Sequence, residues 1–234
     1  MILFFLMIIF VSTETWAAQP IQVLRGGIDQ ILNILSEPEP KQNDQSRIQK
    51  EKLGAVIEKT FDFREMASRS LARHWNRFTD SQKKEFTSLF SRLLGNTYIE
   101  RIRRGYKDEK VEYLGQEMVG DSKAFVKTKV FGEGLEIPVN YSMLKRNGIW
   151  VVYDVNIEGV SMVKNYRSQF GGILLKSPPA KLINMLKDKI KQMEKDVKGQ
   201  STRYIHRMTV LAQVYGFVLP QSMKSDLNAR LHQL

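Results

Sequence analysis

YDVNIEGVSMVKNYRSQF, residues Tyr153–Phe170, is the stretch on which the fold turns. Its first residues alternate as a strand does, with Tyr153, Val155 and Ile157 on one face and Asp154 and Asn156 on the other. Glu158-Gly159 ends the alternation. Beyond it Val160, Val163, Tyr166, Phe170 and Ile173 recur every three or four residues, the period of a helix. The pattern predicts a strand with an apolar face that turns at Gly159 and sends a helix back across that face. Such a unit closes a pocket. Ser161 stands where the helix begins and is expected to cap it; its setting, Gly-Val-Ser-Met-Val, lacks the second glycine of an esterase elbow.

Working outward, the strand Ile149–Glu158 is the last of four alternating segments, after Lys110–Gly115, Ser122–Phe131 and Leu135–Leu144. Gly120-Asp121 and Gly132-Glu133 suit two-residue type II′ loops. Those loops set Val130 opposite Leu135, Thr128 opposite Ile137, Val126 opposite Val139 and Tyr113 opposite Thr128, all on one face. A two-residue Asn147-Gly148 loop would bring Tyr141 against Asp154, and a one-residue change of register flips a strand's face. A three-residue loop, Arg146-Asn147-Gly148 with a G1 bulge, pairs Tyr141 with Tyr153 and Val139 with Val155, and is the expected solution. The fold class is therefore α+β, a four-stranded antiparallel meander with one continuous apolar face covered by helices.

Helical spacing dominates before the sheet. Ile21, Leu24, Ile28, Ile31, Leu32 and Leu35 mark a first amphipathic helix, weakened by Gly26 and Gly27. Ile48, Leu53, Val56 and Ile57 mark a second. Asp62 with Glu65 starts a third, carrying Phe63, Met66, Leu71 and Trp75 on one side. Thr79 with Gln82 starts a longer fourth, whose stripe runs Phe86, Leu89, Phe90, Leu93, Leu94, Tyr98 and Ile102. After the sheet and its closing helix, Pro178-Pro179 opens another through Leu182, Leu186, Ile190 and Met193. The expected layout is a signal peptide over 1–18 and one main domain over 19–198. Within that domain the helical part spans about 20–106, the sheet about 109–158 and the closing helices 160–198. A helical extension follows over 199–234.

Composition narrows the chemistry. The formal charge of +11 suits an anionic partner. With the basic residues spread along the chain rather than gathered in one helix or arm, nucleic acid is not expected. The chain has no cysteine, so disulfides, thiolate metal sites and thiol nucleophiles are excluded. Met1–Val11 is an uninterrupted apolar run, too short for the ~20 residues of a membrane span, and small residues around Ala17 and Ala18 follow it, as in a cleavable leader. That predicts an exported protein. His74, His206 and His232 share no helical spacing with one another, so no metal site is expected. No glycine-rich phosphate loop occurs. Asp154 and Glu158 fall on the strand face turned away from the pocket, so no catalytic residue and no cofactor are expected.

Two blocks carry a family resemblance: FDFREMASRSLARHW (Phe61–Trp75) and the strand-turn-helix block quoted first. With FTSLFSRLLGNTY (Phe86–Tyr98) and the strand Ile137–Tyr141, they resemble the MlaC family, the toluene-tolerance type of periplasmic phospholipid carrier. The resemblance implies a nuclear-transport-factor-like (NTF2-like) curved sheet beside a helical part, with acyl chains of a phospholipid cargo held between them. It implies a monomer that passes lipid between an outer-membrane lipoprotein/porin complex and an inner-membrane ABC transporter complex with an MCE-type subunit. Relatives associated with hopanoids keep a second lipid class open.

Joined to the apolar face, these readings give a candidate site. Val126, Val139, Tyr141, Tyr153 and Val155 would form the sheet wall, and Val163, Tyr166 and Phe170 the closing side. Trp75, Phe90 and Tyr98 would be added from the helical part, with core packing the competing role for each. Arg167 would meet a head-group phosphate or a partner's acidic surface, unless it is simply solvated. The competing classes are an enzyme on the same cone-shaped sheet and a binding protein for a small apolar solute or for a partner protein, with the pocket being plain core.

Overall fold

The computed structural model describes residues 19–37, 43–99, 109–132 and 134–199. The signal peptide expected over 1–18, Ile102, and all of the expected extension after Gly199 lie outside these residues. Helix α1 (Pro20–Leu35) starts with proline at its first position and buries Leu24, Ile28, Ile31 and Leu35. Gln19, its N-cap, makes no side-chain bond to the helix's first amides; Gln116 of the sheet does so instead, its Oε1 accepting from the Ile21 amide at 2.8 Å. Helix α2 (Asn43–Thr60) crosses α1 closely enough that a Cβ on Gly27 would lie 2.6 Å from Thr60 Oγ1. The glycine that weakens α1 locally is what admits its neighbour.

Asp62 caps α3 (Phe63–Leu71) as expected, accepting from the Glu65 amide at 2.9 Å. The helix then breaks at Ala72, whose φ is +48°, and continues as a 3₁₀ turn over Ala72–Arg77. Thr79 and Gln82 form the expected capping box of α4 (Asp80–Leu94), which runs into a π-helical turn over Gly95–Ile99.

The sheet has five strands in the order β1 (Lys110–Val119), β2 (Lys123–Gly132), β3 (Leu135–Arg146), β4 (Ile149–Ile157) and β5 (Val160–Ser161). The four-stranded expectation is short by β5, a two-residue strand. It arises because Glu158 and Gly159 both take positive φ and fold a tight hairpin onto β4. The other registers also differ in detail. Tyr113 does face Thr128, but through a three-residue loop offset by a bulge at Leu114-Gly115. Val126 faces Tyr141, Thr128 faces Val139 and Val130 faces Ile137, each two residues from the expected partner, so the inward face is unchanged.

The β3–β4 hairpin is where the expectation fails. Asn147 and Gly148, with φ of +49° and +82°, form the two-residue type I′ turn, and Arg146 pairs with Ile149. The extra residue sits inside β4 instead: Ser142 faces Asp154 while Met143 faces Val152, which leaves Tyr153 as a bulge. Tyr141 thus pairs with Val155 and Val139 with Ile157.

Helices α5 (Met162–Leu174) and α6 (Pro179–Gly199) complete the described chain. Ser161 caps α5, accepting from the Lys164 amide at 3.0 Å, while Asp154 Oδ1 accepts from the Val163 amide at 2.9 Å. Contrary to expectation, α5 does not return across the sheet. It leaves the short strand β5 at the sheet's edge and lies along α3, and α1 and α2 cover the sheet in its place.

Candidate functional site

Two apolar clusters result, and the residues expected to share one pocket are divided between them. Val126, Val139, Tyr141 and Val155 belong to the sheet cluster, with Leu24, Ile28, Ile31 and Leu53 of α1 and α2. Phe90, Val163, Tyr166 and Phe170 lie in a helical cluster built by α3, α4, α5 and α6, with Trp75 and Tyr98 half-buried against it. Tyr153 is in neither. The bulge turns it off the sheet's inner face, and the Arg69 guanidinium stands 4.1 Å from its ring centroid.

The helical cluster is filled by its own rings. Phe90 has no exposed surface and meets Tyr166 edge-on at 5.0 Å, Phe170 at 5.6 Å and Phe86 at 5.7 Å. Phe86 in turn meets Phe78 and Phe170. Edge-to-face and offset contacts at these separations are those of a packed aromatic core. Burial, with Tyr98 beside it, holds the Tyr166 phenol well above its ordinary pKa.

The sheet cluster is uneven. Where Ala124, Val126, Tyr141, Met143 and Val152 meet the two helices, the inner face is buried. Toward the start of β1 and the end of β4 the same face continues with Val111, Tyr113, Val130, Ile137 and Ile157, all only partly buried, beside Ile99 and Met162. This half-covered apolar strip spans four strands, and it is the candidate site. Alternation puts Tyr113, Val130, Ile137 and Ile157 on this face, but it carries no information on how far along a strand the cover extends.

Phe61 and Met162 touch both clusters and mark the seam between them. Hydrogen bonds and ion pairs stitch one end of that seam. Phe61 bridges to Val152, the Asp62 amide donates to the Val152 carbonyl at 2.8 Å, and Arg146 reaches Asp62 at 2.6 Å and Glu65 at 2.9 Å. Arg167 is exposed; its Nε donates to the Arg69 carbonyl at 2.9 Å, tying α5 to α3. Among the described residues no group of three or more His, Cys, Asp or Glu side chains could hold a metal ion. Nor is any helix among them long and apolar enough to cross a membrane.

Fold and site together define an α+β protein whose antiparallel sheet carries an apolar face only partly closed by helices. The family model described as MlaC protein matches residues 26–188, well over half of the chain, and the chain belongs to the MlaC family. Among solved structures, the fold is similar to that of a phospholipid-binding protein from Ralstonia solanacearum in complex with a phospholipid. The TM-score is 0.66 at 21% identity, covering 76% of this chain and 99% of that one. No curated protein sequence matches the chain.

Proposed function

We propose that this protein is a periplasmic phospholipid carrier, binding its cargo without chemical change. The observation that carries the reading is the strip Val111, Tyr113, Val130, Ile137 and Ile157, an apolar face continuous with the core yet left half-covered. Family membership and a structural neighbour solved with a phospholipid support it. The bulges in β1 and β4 add local twist and bend the sheet, in keeping with a curved NTF2-like wall.

A diacyl lipid has ~30 methylenes at ~0.8 kcal/mol each, so holding its chains in water costs on the order of 25 kcal/mol. A carrier therefore has to match the bilayer closely without surpassing it, or it would never release the lipid. The chain has no nucleotide-binding glycine motif, so direction comes from its partners: an outer-membrane lipoprotein/porin complex on one side and an inner-membrane ABC transporter complex with an MCE-type subunit on the other. The exposed Arg167 guanidinium is available to an anion, either the head group or an acidic partner surface. Solvent extraction of the full chain purified from cells, followed by lipid mass spectrometry, tests this. Stoichiometric intact phospholipid is expected. Lipid-free protein that takes up none on incubation with vesicles, or turnover of added lipid to products, contradicts it.

A further inference from the structure

Two stretches that the fold packs side by side are basic without one acidic residue between them. From Met66 to Thr79 the chain carries Arg69, Arg73 and Arg77; from Gly159 to Lys187 it carries five lysines and arginines, and neither stretch contains Asp or Glu. Helical spacing sorts the second stretch. Val163, Tyr166, Phe170 and Leu174 turn into the core, which leaves Lys164, Arg167 and Leu175 along the outer side of α5. Arginines tie the two stretches together at two points, and both use neutral acceptors. Arg167 Nε donates to the Arg69 carbonyl at 2.9 Å, and Arg77 donates to the Leu174 carbonyl at 2.6 Å and the Ser177 carbonyl at 3.4 Å. Neither positive charge is cancelled. Lys164 and Lys176 are exposed and make no ion pair among the described residues.

At the end of this basic face stands Leu175, 66% exposed and the most exposed large apolar side chain among the described residues. It is held in place: its amide donates to the Gly171 carbonyl at 3.0 Å, and Arg77 fixes the carbonyls of Leu174 and Ser177 on either side. Gly171 and Gly172 precede it with open space where a Cβ would stand, so the helix surface beside it is bare. We propose that the outer face of α5 docks on an anionic phospholipid bilayer, with Arg77, Lys164, Arg167 and Lys176 over the head-group phosphates and Leu175 entering the acyl boundary. Four cations around a projecting aliphatic side chain suit an interfacial membrane contact. A protein interface would gather aromatic anchors and avoid lysine, whereas two of these four cations are lysines and the aromatic residues of α5 point inward. The face also runs about 16 Å from Lys164 to Leu175, at ~1.5 Å per helical residue, which suits a layer of phosphates better than one bound anion. The inference goes beyond the carrier reading, since it concerns where the protein rests and not what it encloses. Met162, the first residue of α5, borders the half-covered strip, so a bilayer along α5 meets the edge of the cargo site.

Vesicle flotation of the full chain tests this, with phosphatidylcholine alone set against an equal mixture of phosphatidylcholine and phosphatidylglycerol. Wild type is expected to float with the mixed vesicles and not with the neutral ones. The double variant Lys164→Gln/Lys176→Gln should bind the mixed vesicles about 25-fold more weakly, at roughly fivefold for each lysine near an anionic surface. Leu175→Ala should bind them about fivefold more weakly. The control Lys110→Gln/Lys123→Gln removes two exposed lysines of the sheet, has the same net charge as the first variant and should bind as wild type does. A control that loses as much as the α5 double variant overturns the proposal, as does Leu175→Ala at wild-type strength. Wild type without preference for the anionic vesicles also overturns it, and leaves the face to an acidic protein partner; lipid that still co-purifies with that protein keeps the carrier reading intact.

Discussion

The helical bundle and the sheet face use similar amounts of apolar side chain to opposite ends. In the bundle, Phe86, Phe90, Tyr166 and Phe170 close on one another at ring separations of 5.0–5.7 Å, the contacts of a packed aromatic core. On the sheet, cover by α1 and α2 stops short, and the inward residues pass from buried Val126 and Met143 to half-buried Val130 and Ile137 along the same strands. Aromatic richness therefore marks stability in this molecule, whereas incomplete cover marks the place where a ligand can be accommodated.

Phe90→Ala should have the largest effect on stability. It removes a fully buried ring from the centre of the bundle, so chemical denaturation should show a loss of about 3–5 kcal/mol. Lipid recovered per folded molecule should change little; its disappearance would mean that the bundle, too, lines the cargo. Gly27→Ala comes next. Helix propensity alone predicts a gain of about 1 kcal/mol, but the new Cβ meets Thr60, so overpacking should cost about 1–3 kcal/mol instead. Thr60→Ala in the same chain should recover most of that loss.

Asp62→Ala removes the α3 cap and one of the two Arg146 contacts at the seam, and should lower stability by about 0.5–2 kcal/mol in thermal or urea unfolding. Ile137→Glu should reverse the Phe90 pattern. Stability should fall by no more than about 1 kcal/mol at this half-covered position, while co-purified phospholipid is largely lost because a carboxylate is costly among acyl chains.

The smallest effect is a pH dependence. His74, 8% exposed, lies between the 3₁₀ turn and the end of α5, where its Nδ1 is 3.1 Å from Arg77 Nη1, itself 2.6 Å from the Leu174 carbonyl. Burial, then Arg73 and Arg77, hold its pKa below 6.5. Its neutral form is thus favoured by folding, a contribution complete above the unfolded value of about 6.5 and lost as pH falls below it. Melting curves at pH 7.5 and 5.5 should show a wider gap for wild type than for His74→Gln.

Local chemistry was the legible part of the fold. The caps at Asp62, Thr79 and Ser161 follow from residue type and spacing, and each is present; Tyr113 faces Thr128 only because a longer loop and a bulge offset each other. Asn147-Gly148 was also legible as a type I′ turn. Taken alone it brings Tyr141 against Asp154, but the chain keeps the turn and corrects its register with a bulge at Tyr153. A bulge within a strand leaves only a subtle trace in sequence, here the change of buried positions from Trp150 and Val152 to Val155. The covering helices were not legible either. Periodicity gives the apolar stripes of α1 and α5 alike, but not which of them meets the sheet. So Val126, Val139, Tyr141 and Val155 are legible as inner-face residues of the sheet, whereas the turning of Tyr153 off that face and the half-covered end of the same face are not.

The most direct measurement is photocrosslinking of the unmodified full chain with a phospholipid carrying a diazirine midway along one acyl chain, with adducts mapped by peptide mass spectrometry. Adducts on the peptides of Val111, Val130, Ile137 and Ile157 are expected. Adducts confined to those of Phe86, Phe90 and Phe170 would place the cargo in the bundle and contradict the account.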